Sequence, residues 1–111
     1  MPASVYTPPP PCGLTLNLLL YTCATFTEWD FDDLSAPYWR LYWNADPGAS
    51  IRHDGVDTEL LPHRLVLIPP NTAFAATIKG SVRHFFAHFT LEPAWGVPQP
   101  GVHVVDLAPL H

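Results

Sequence analysis

Between Leu65 and Leu91 the chain reads LVLIPPNTAFAATIKGSVRHFFAHFTL. Three runs rich in β-branched and aromatic residues, each shorter than a helix needs, are cut apart by Pro69-Pro70-Asn71 and by Lys79-Gly80-Ser81. The spacing predicts three strands. Leu65 to Ile68 is uninterruptedly apolar, the pattern of a strand covered on both faces. At the first corner Asn71 suits a left-handed backbone better than most residues other than glycine. Phe74 to Ile78 and Val82 to Leu91 are expected to close a hairpin around Lys79-Gly80-Ser81. Along the last run a period of two puts Val82, His84, Phe86, His88 and Thr90 on one face. Arg83, Phe85, Ala87, Phe89 and Leu91 take the other, which reads as packing against the rest of the protein.

The flanking sequence continues the pattern. Tyr38 to Asn44 (YWRLYWN) reads as an aromatic strand ended by Ala45-Asp46-Pro47-Gly48. Ala49 to Asp54 and Val56 to Leu61 flank Asp54-Gly55, a two-residue hairpin signal. Val102 to Leu107 is expected as the last strand, and Leu14 to Phe26 (LTLNLLLYTCATF) reads as extended despite its leucines, because threonine and tyrosine favour strands. Glu28, Asp30, Asp32 and Asp33 around Trp29 and Phe31 read as a solvated loop with two anchoring aromatics. Pro8 to Pro11 lack backbone donors, so residues 1–12 are expected to form a flexible arm. Residues 13–111 then form a single all-β domain, a sandwich or barrel with little helix.

Composition narrows the function. A chain of 111 residues with 48% hydrophobic residues supports one core. Five basic against ten acidic residues lack the electrostatic footprint of a nucleic-acid surface. No apolar run reaches the roughly 18 residues of a membrane span and no secretory leader is evident, so no membrane partner and a cytoplasmic location are expected. Cys12 and Cys23 cannot supply a disulfide framework or a cysteine zinc site. Cys23 reads as a small core residue and Cys12 as a loop thiol.

Six histidines beside a single lysine are the conspicuous chemistry. His84 and His88 share one face but stand ~13 Å apart along an extended strand, too far for one metal and suited to opposite ends of a ligand. With Phe86 between them, that face has the apolar wall and few placed polar groups of a small-molecule cavity. Each histidine is equally well explained as a buried residue satisfied by polar neighbours. Arg40, amid Trp39, Tyr42 and Trp43, could clamp a carboxylate or stack on a ring, or simply face outward from an edge strand. Trp43 and Trp95 read as core or dimer-contact aromatics.

The series RLYWN (Arg40 to Asn44), PGA (Pro47 to Ala49), LVLIPPNTAF (Leu65 to Phe74) and HFFAHF (His84 to Phe89) resembles the small barrel of the cupin superfamily. More specifically it resembles the N-terminal sensor domain of AraC-type transcriptional regulators, best over residues 38 to 91. The resemblance implies a cupin-like jelly roll that binds a small polar effector, with a sugar as one candidate. Its pocket would be lined by His84, Phe86, His88 and Ala76, with Arg40 as a further candidate. It also implies a homodimer, and DNA contact only through a C-terminal helix-turn-helix domain not encoded here, so the chain is expected to be a piece of a longer regulator or a free-standing barrel. No cofactor and no catalytic residue are expected. The competing reading is a metal-dependent cupin enzyme, an isomerase or dioxygenase. Against that pattern His53 and Glu59 match two ligand positions, while Gly55 and Phe74 fall where the other two belong, leaving at best a degenerate site.

Overall fold

The computed structural model describes residues 15–92 and 99–107; the proline arm, Cys12 and Trp95 lie outside the described residues. Among the described residues the chain forms nine strands and no helix. They are β1 (Thr15–Phe26), β2 (Asp30–Leu34), β3 (Trp39–Asn44), β4 (Ala49–His53), β5 (Val56–Leu60), β6 (Arg64–Ile68), β7 (Phe74–Ile78), β8 (Val82–Glu92) and β9 (His103–Asp106). One sheet has the order β1-β8-β3-β6-β9 and the second the order β2-β7-β4-β5. Every described pairing is antiparallel, which gives an all-β sandwich of jelly-roll type.

Between the sheets Tyr42, Val66, Ile68 and Val82 from the first meet Ile51, Leu60, Phe74 and Ala76 from the second, all buried. Removing these side chains from water, at about 25 cal/mol per Å² of apolar area, is the main force holding the layers together. The period of two is cleanest on β3, where Arg40, Tyr42 and Asn44 are buried and Trp39, Leu41 and Trp43 are half-buried. Outward-facing Trp43 donates its indole N–H to the Pro62 carbonyl at 3.0 Å.

Turn chemistry follows the residues. Asp54 (φ 53°) and Gly55 (φ 79°) both hold positive φ in the β4–β5 turn, as a two-residue hairpin of the primed type requires. Asn71 takes φ 61°, the left-handed conformation expected of it. Where the chain passes between sheets, the β3–β4 and β7–β8 connections are tied to each other. Lys79 N–H donates to the Gly48 carbonyl at 2.8 Å and Ala45 N–H to the Arg83 carbonyl at 2.9 Å. The Arg83 guanidinium grips the Asp46 carboxylate through both oxygens at 2.9 Å, and the Arg83 backbone N–H adds a third bond to Asp46.

Several expectations are corrected. β7 and β8 are not a hairpin: they lie in different sheets, so Lys79-Gly80-Ser81 is a crossover. The acidic segment is not wholly loop, because Asp30 and Phe31 pair with Thr77 and Ala76 to make β2 an edge strand. Cys23 is exposed on edge strand β1, whose outer side has no neighbour strand among the described residues. β6 is buried on one face only, with Val66 and Ile68 inward. On β8 the face assigned to packing begins with exposed Arg83 and is buried only at Ala87 and Phe89, the latter stacked on Trp39 at 6.0 Å. The opposite face carries the core at Val82 and His84.

Candidate functional site

The β3–β8 ladder sets three inward cross-strand pairs in register: Asn44 with His84, Tyr42 with Phe86, and Arg40 with His88. Residues directly opposite on neighbouring strands have side chains in contact range. All of this grid but the buried Asn44 lines a cleft of about 410 Å³, whose other walls include Phe26, Trp29, Phe31 and Tyr38. That volume lies in the range of small-molecule sites, roughly 300–1,000 Å³. Four of the five residues predicted from sequence, Arg40, His84, Phe86 and His88, therefore line one cleft. Ala76 does not. It is 0% exposed on β7 inside the hydrophobic core, paired with Ile51 and Phe31, and its small side chain serves packing.

At one end of the cleft His84 is 2% exposed and enclosed by rings, with Trp29 at 4.7 Å, Tyr42 at 4.8 Å and Phe86 at 5.7 Å between centroids. Burial lowers its pKa to about 4, so the imidazole is neutral at pH 7. Its Nδ1 lies 2.5 Å from Asn44 Oδ1. An amide oxygen only accepts, so Nδ1 carries the proton and donates, which leaves a lone pair on Nε2. That Nε2 is buried with no hydrogen-bond partner among the described residues, and the Asn44 Nδ2 group is likewise unpaired.

The other end is cationic. Arg40 is 7% exposed on the inner face of a central strand, contrary to the edge-strand alternative. Its guanidinium lies 5.2 Å from the Tyr38 ring centre and 5.4 Å from that of Phe74, and donates to the Tyr42 hydroxyl at 3.1 Å. Among the described side chains no carboxylate forms an ion pair with it. Glu28 lines the same cleft but is exposed. His88 stacks on Tyr38 at 4.4 Å, and its pKa is lowered by burial and then by the charge of Arg40. Burial raises the Tyr42 pKa, a shift opposed by Arg40.

Sequence reasoning missed the lid side of this cleft. Trp29 and Phe31, expected to anchor a loop, both line the cleft: Trp29 packs against His84 and Tyr42, and Phe31 meets Trp29 edge-on. The available signal was the alternation of Trp29 and Phe31 with acidic residues just ahead of and within β2. Asn44 was missed because its role depends on lying opposite His84 across the ladder.

The candidate metal positions are not assembled. The β4–β5 register sets His53 against Val56 and Glu59 against Ser50, at opposite ends of the hairpin. His53 Nδ1 is 2.8 Å from the Ala73 carbonyl. Gly55 sits in the turn and Phe74 in the core, and neither donates to a metal. Among the described residues no group of three or more metal-ligating side chains gathers, and neither His84 nor His88 joins His53 at a common cleft.

No family model and no curated protein matches the chain. Solved structures of ToxT from Vibrio cholerae do. The P21 form and the complex with (E)-4-(8-methylnaphthalen-1-yl)but-3-enoic acid each show 13% identity and a TM-score of 0.48 over 70% of this chain and 31% of theirs. The wild-type protein of strain SCE256 with unsaturated fatty acid bound shows 10% identity and a TM-score of 0.52 over 92% of this chain and 44% of that one. The chain thus spans less than half the length of the ToxT chains it matches, and at such identity the likeness is one of fold.

Proposed function

We propose that the chain is the effector-sensing domain of an AraC-type transcriptional regulator and binds a small molecule in the β3–β8 cleft. The observation that carries this reading is the pairing, in one aromatic cleft, of a buried imidazole whose Nε2 has no described partner with a buried arginine that has no described carboxylate. A folded core normally satisfies or pairs such groups, and a ligand satisfies both. The fold shared with ToxT supports the reading, as does the sensor-domain resemblance over residues 38 to 91. DNA contact through a domain outside this chain, a cytoplasmic location and a homodimer belong to the same proposal. Among the described residues no helix is long and apolar enough to cross a membrane.

In this reading the domain binds and does not catalyse. Phe86, across from Tyr42 and between the two histidines, supplies a face for the ligand body, and Arg40 and His84 hold its polar ends. Binding alters a regulator only where affinity differs between two conformations, and strand β2, which carries one wall on a sheet edge, is the element suited to that difference. Sugars and small carboxylic acids titrated against the wild type and Phe86→Ala, followed by thermal shift, test the site. The expected result is stabilisation of the wild type and affinity weakened about tenfold in the variant. Equal responses of the two proteins would remove Phe86 from the site. The enzyme alternative is disfavoured by the scattered donors around His53 and Glu59, and a stoichiometric metal in elemental analysis of the purified protein would revive it.

A further inference from the structure

We infer that the effector is a small aromatic carboxylate carrying a hydroxyl at the end remote from its acid group, with the carboxylate on Arg40 and the hydroxyl on Nε2 of His84. The inference rests on the effector-binding reading and narrows it to a ligand class. Sugars were the first candidate from sequence, and the cleft selects against them.

Three features set this preference. The first is charge. A guanidinium stays protonated at any working pH, and Arg40 is buried between two rings with, among the described residues, one side-chain hydrogen bond, to the Tyr42 hydroxyl. A desolvated cation is far more costly to leave unpaired than a neutral donor, so an anion gains more here than a sugar hydroxyl does. Geometry favours carboxylate, since the planar fork of arginine matches it with two parallel bonds. His88 beside Arg40 is pushed toward its neutral form and adds no second charge at this end.

The second feature is the wall. Between Arg40 and His84 the cleft presents Tyr42, Phe86 and Trp29, side chains whose faces suit a flat apolar body. A sugar would need several hydroxyl partners along this length, and Glu28 is the one described carboxylate lining the cleft, exposed at its rim.

The third feature is the far end. Nε2 of His84 is a buried lone pair without a described partner, held in that state by the Nδ1–Asn44 bond. It calls for a donor. Arg40 and His84 are offset along the ladder by four residues, ~13 Å of backbone. A body longer than one ring with polar groups at both ends suits that offset.

Four probes separate these features on the 111-residue chain by calorimetry at pH 7: 4-hydroxycinnamate, its 4-methoxy analogue, its methyl ester, and arabinose. The expected result is binding of 4-hydroxycinnamate, with the methoxy analogue and the ester each weaker by about tenfold or more, as expected for one unmatched buried polar group. Arg40→Gln should abolish the preference for acid over ester, and His84→Phe the preference for hydroxyl over methoxy. Circular dichroism of both variants checks that they fold, and the analogue series on the wild type gives the answer without them. Equal affinity for acid and ester, or for hydroxyl and methoxy compounds, overturns the ligand class. Binding of arabinose alone overturns it too while leaving the effector reading standing. If none of the four binds, both fall.

Discussion

At the scale of single residues the site is governed by what burial does to His84. The unfolded chain binds a proton on this imidazole below its ordinary pKa of 6.5, whereas the folded protein binds one only below about 4. Stability therefore falls as pH drops from 6.5 toward 4, by about 1.4 kcal/mol per pH unit within that window, and this contribution is flat outside it. His88, also depressed, acts in the same sense. Urea unfolding at pH 7 and pH 5 should show the loss in the wild type and a smaller one in His84→Gln; equal slopes would refute the assignment. Asp46 acts lower down. Arg83 holds its carboxyl down at about 2, chiefly by side-chain hydrogen bonding, so the stability it contributes is present above 3.8 and disappears as pH falls through 2. That His84, Phe86 and His88 share one face of their strand was legible from a period of two. Burial of Arg40 was not, because a period of two names two faces and leaves open which one turns to the core.

Elements depend on partners that lie far away in sequence. Lys79-Gly80-Ser81 suits a hairpin and a crossover equally well, and what separates them is that β7 pairs β4 and β2 while β8 pairs β1 and β3. Such pairings are a property of the whole sandwich, so local turn chemistry could not reveal them. The Asp54-Gly55 hairpin was legible because both residues suit the positive φ that the turn imposes. β1 contains a break in register between Leu18 and Leu20, where Leu19 is the extra residue against adjacent Phe89 and His88. No composition cue marks it. At the crossovers Gly48 takes φ +123°, and a Cβ there would lie 2.7 Å from the Lys79 carbonyl oxygen, whereas at Gly80 (φ +82°) it would meet nothing within 4 Å. Gly48→Ala should thus cost more stability than Gly80→Ala, each losing at least about 1 kcal/mol to backbone strain. Denaturant titration of the pair decides this, and an equal loss would show that the approach of Lys79 is not limiting.

For the molecule as a whole, sequence was enough to identify an all-β jelly roll but not the ends of its layers. β1 closes the first sheet as a long edge strand on which Leu16, Leu18, Leu20 and Tyr21 are exposed, Tyr21 at 65%. Edge strands with exposed apolar side chains invite pairing with another chain. If the proposed homodimer uses this edge, sedimentation velocity over a range of concentrations should show a dimer that Leu18→Lys weakens. A monomer at every concentration would exclude β1 as the contact.

The bonds that join Gly48 to Lys79 and Asp46 to Arg83 act like the spine of a book. Asn44 and His84 are the lines printed next to the binding, and Arg40 with His88 stands toward the fore-edge. A second clasp holds the fore-edge, where Asn71 N–H donates to the Ala36 carbonyl at 2.7 Å between the β6–β7 and β2–β3 crossovers, so a guest beside Arg40 meets two pages fastened at both margins.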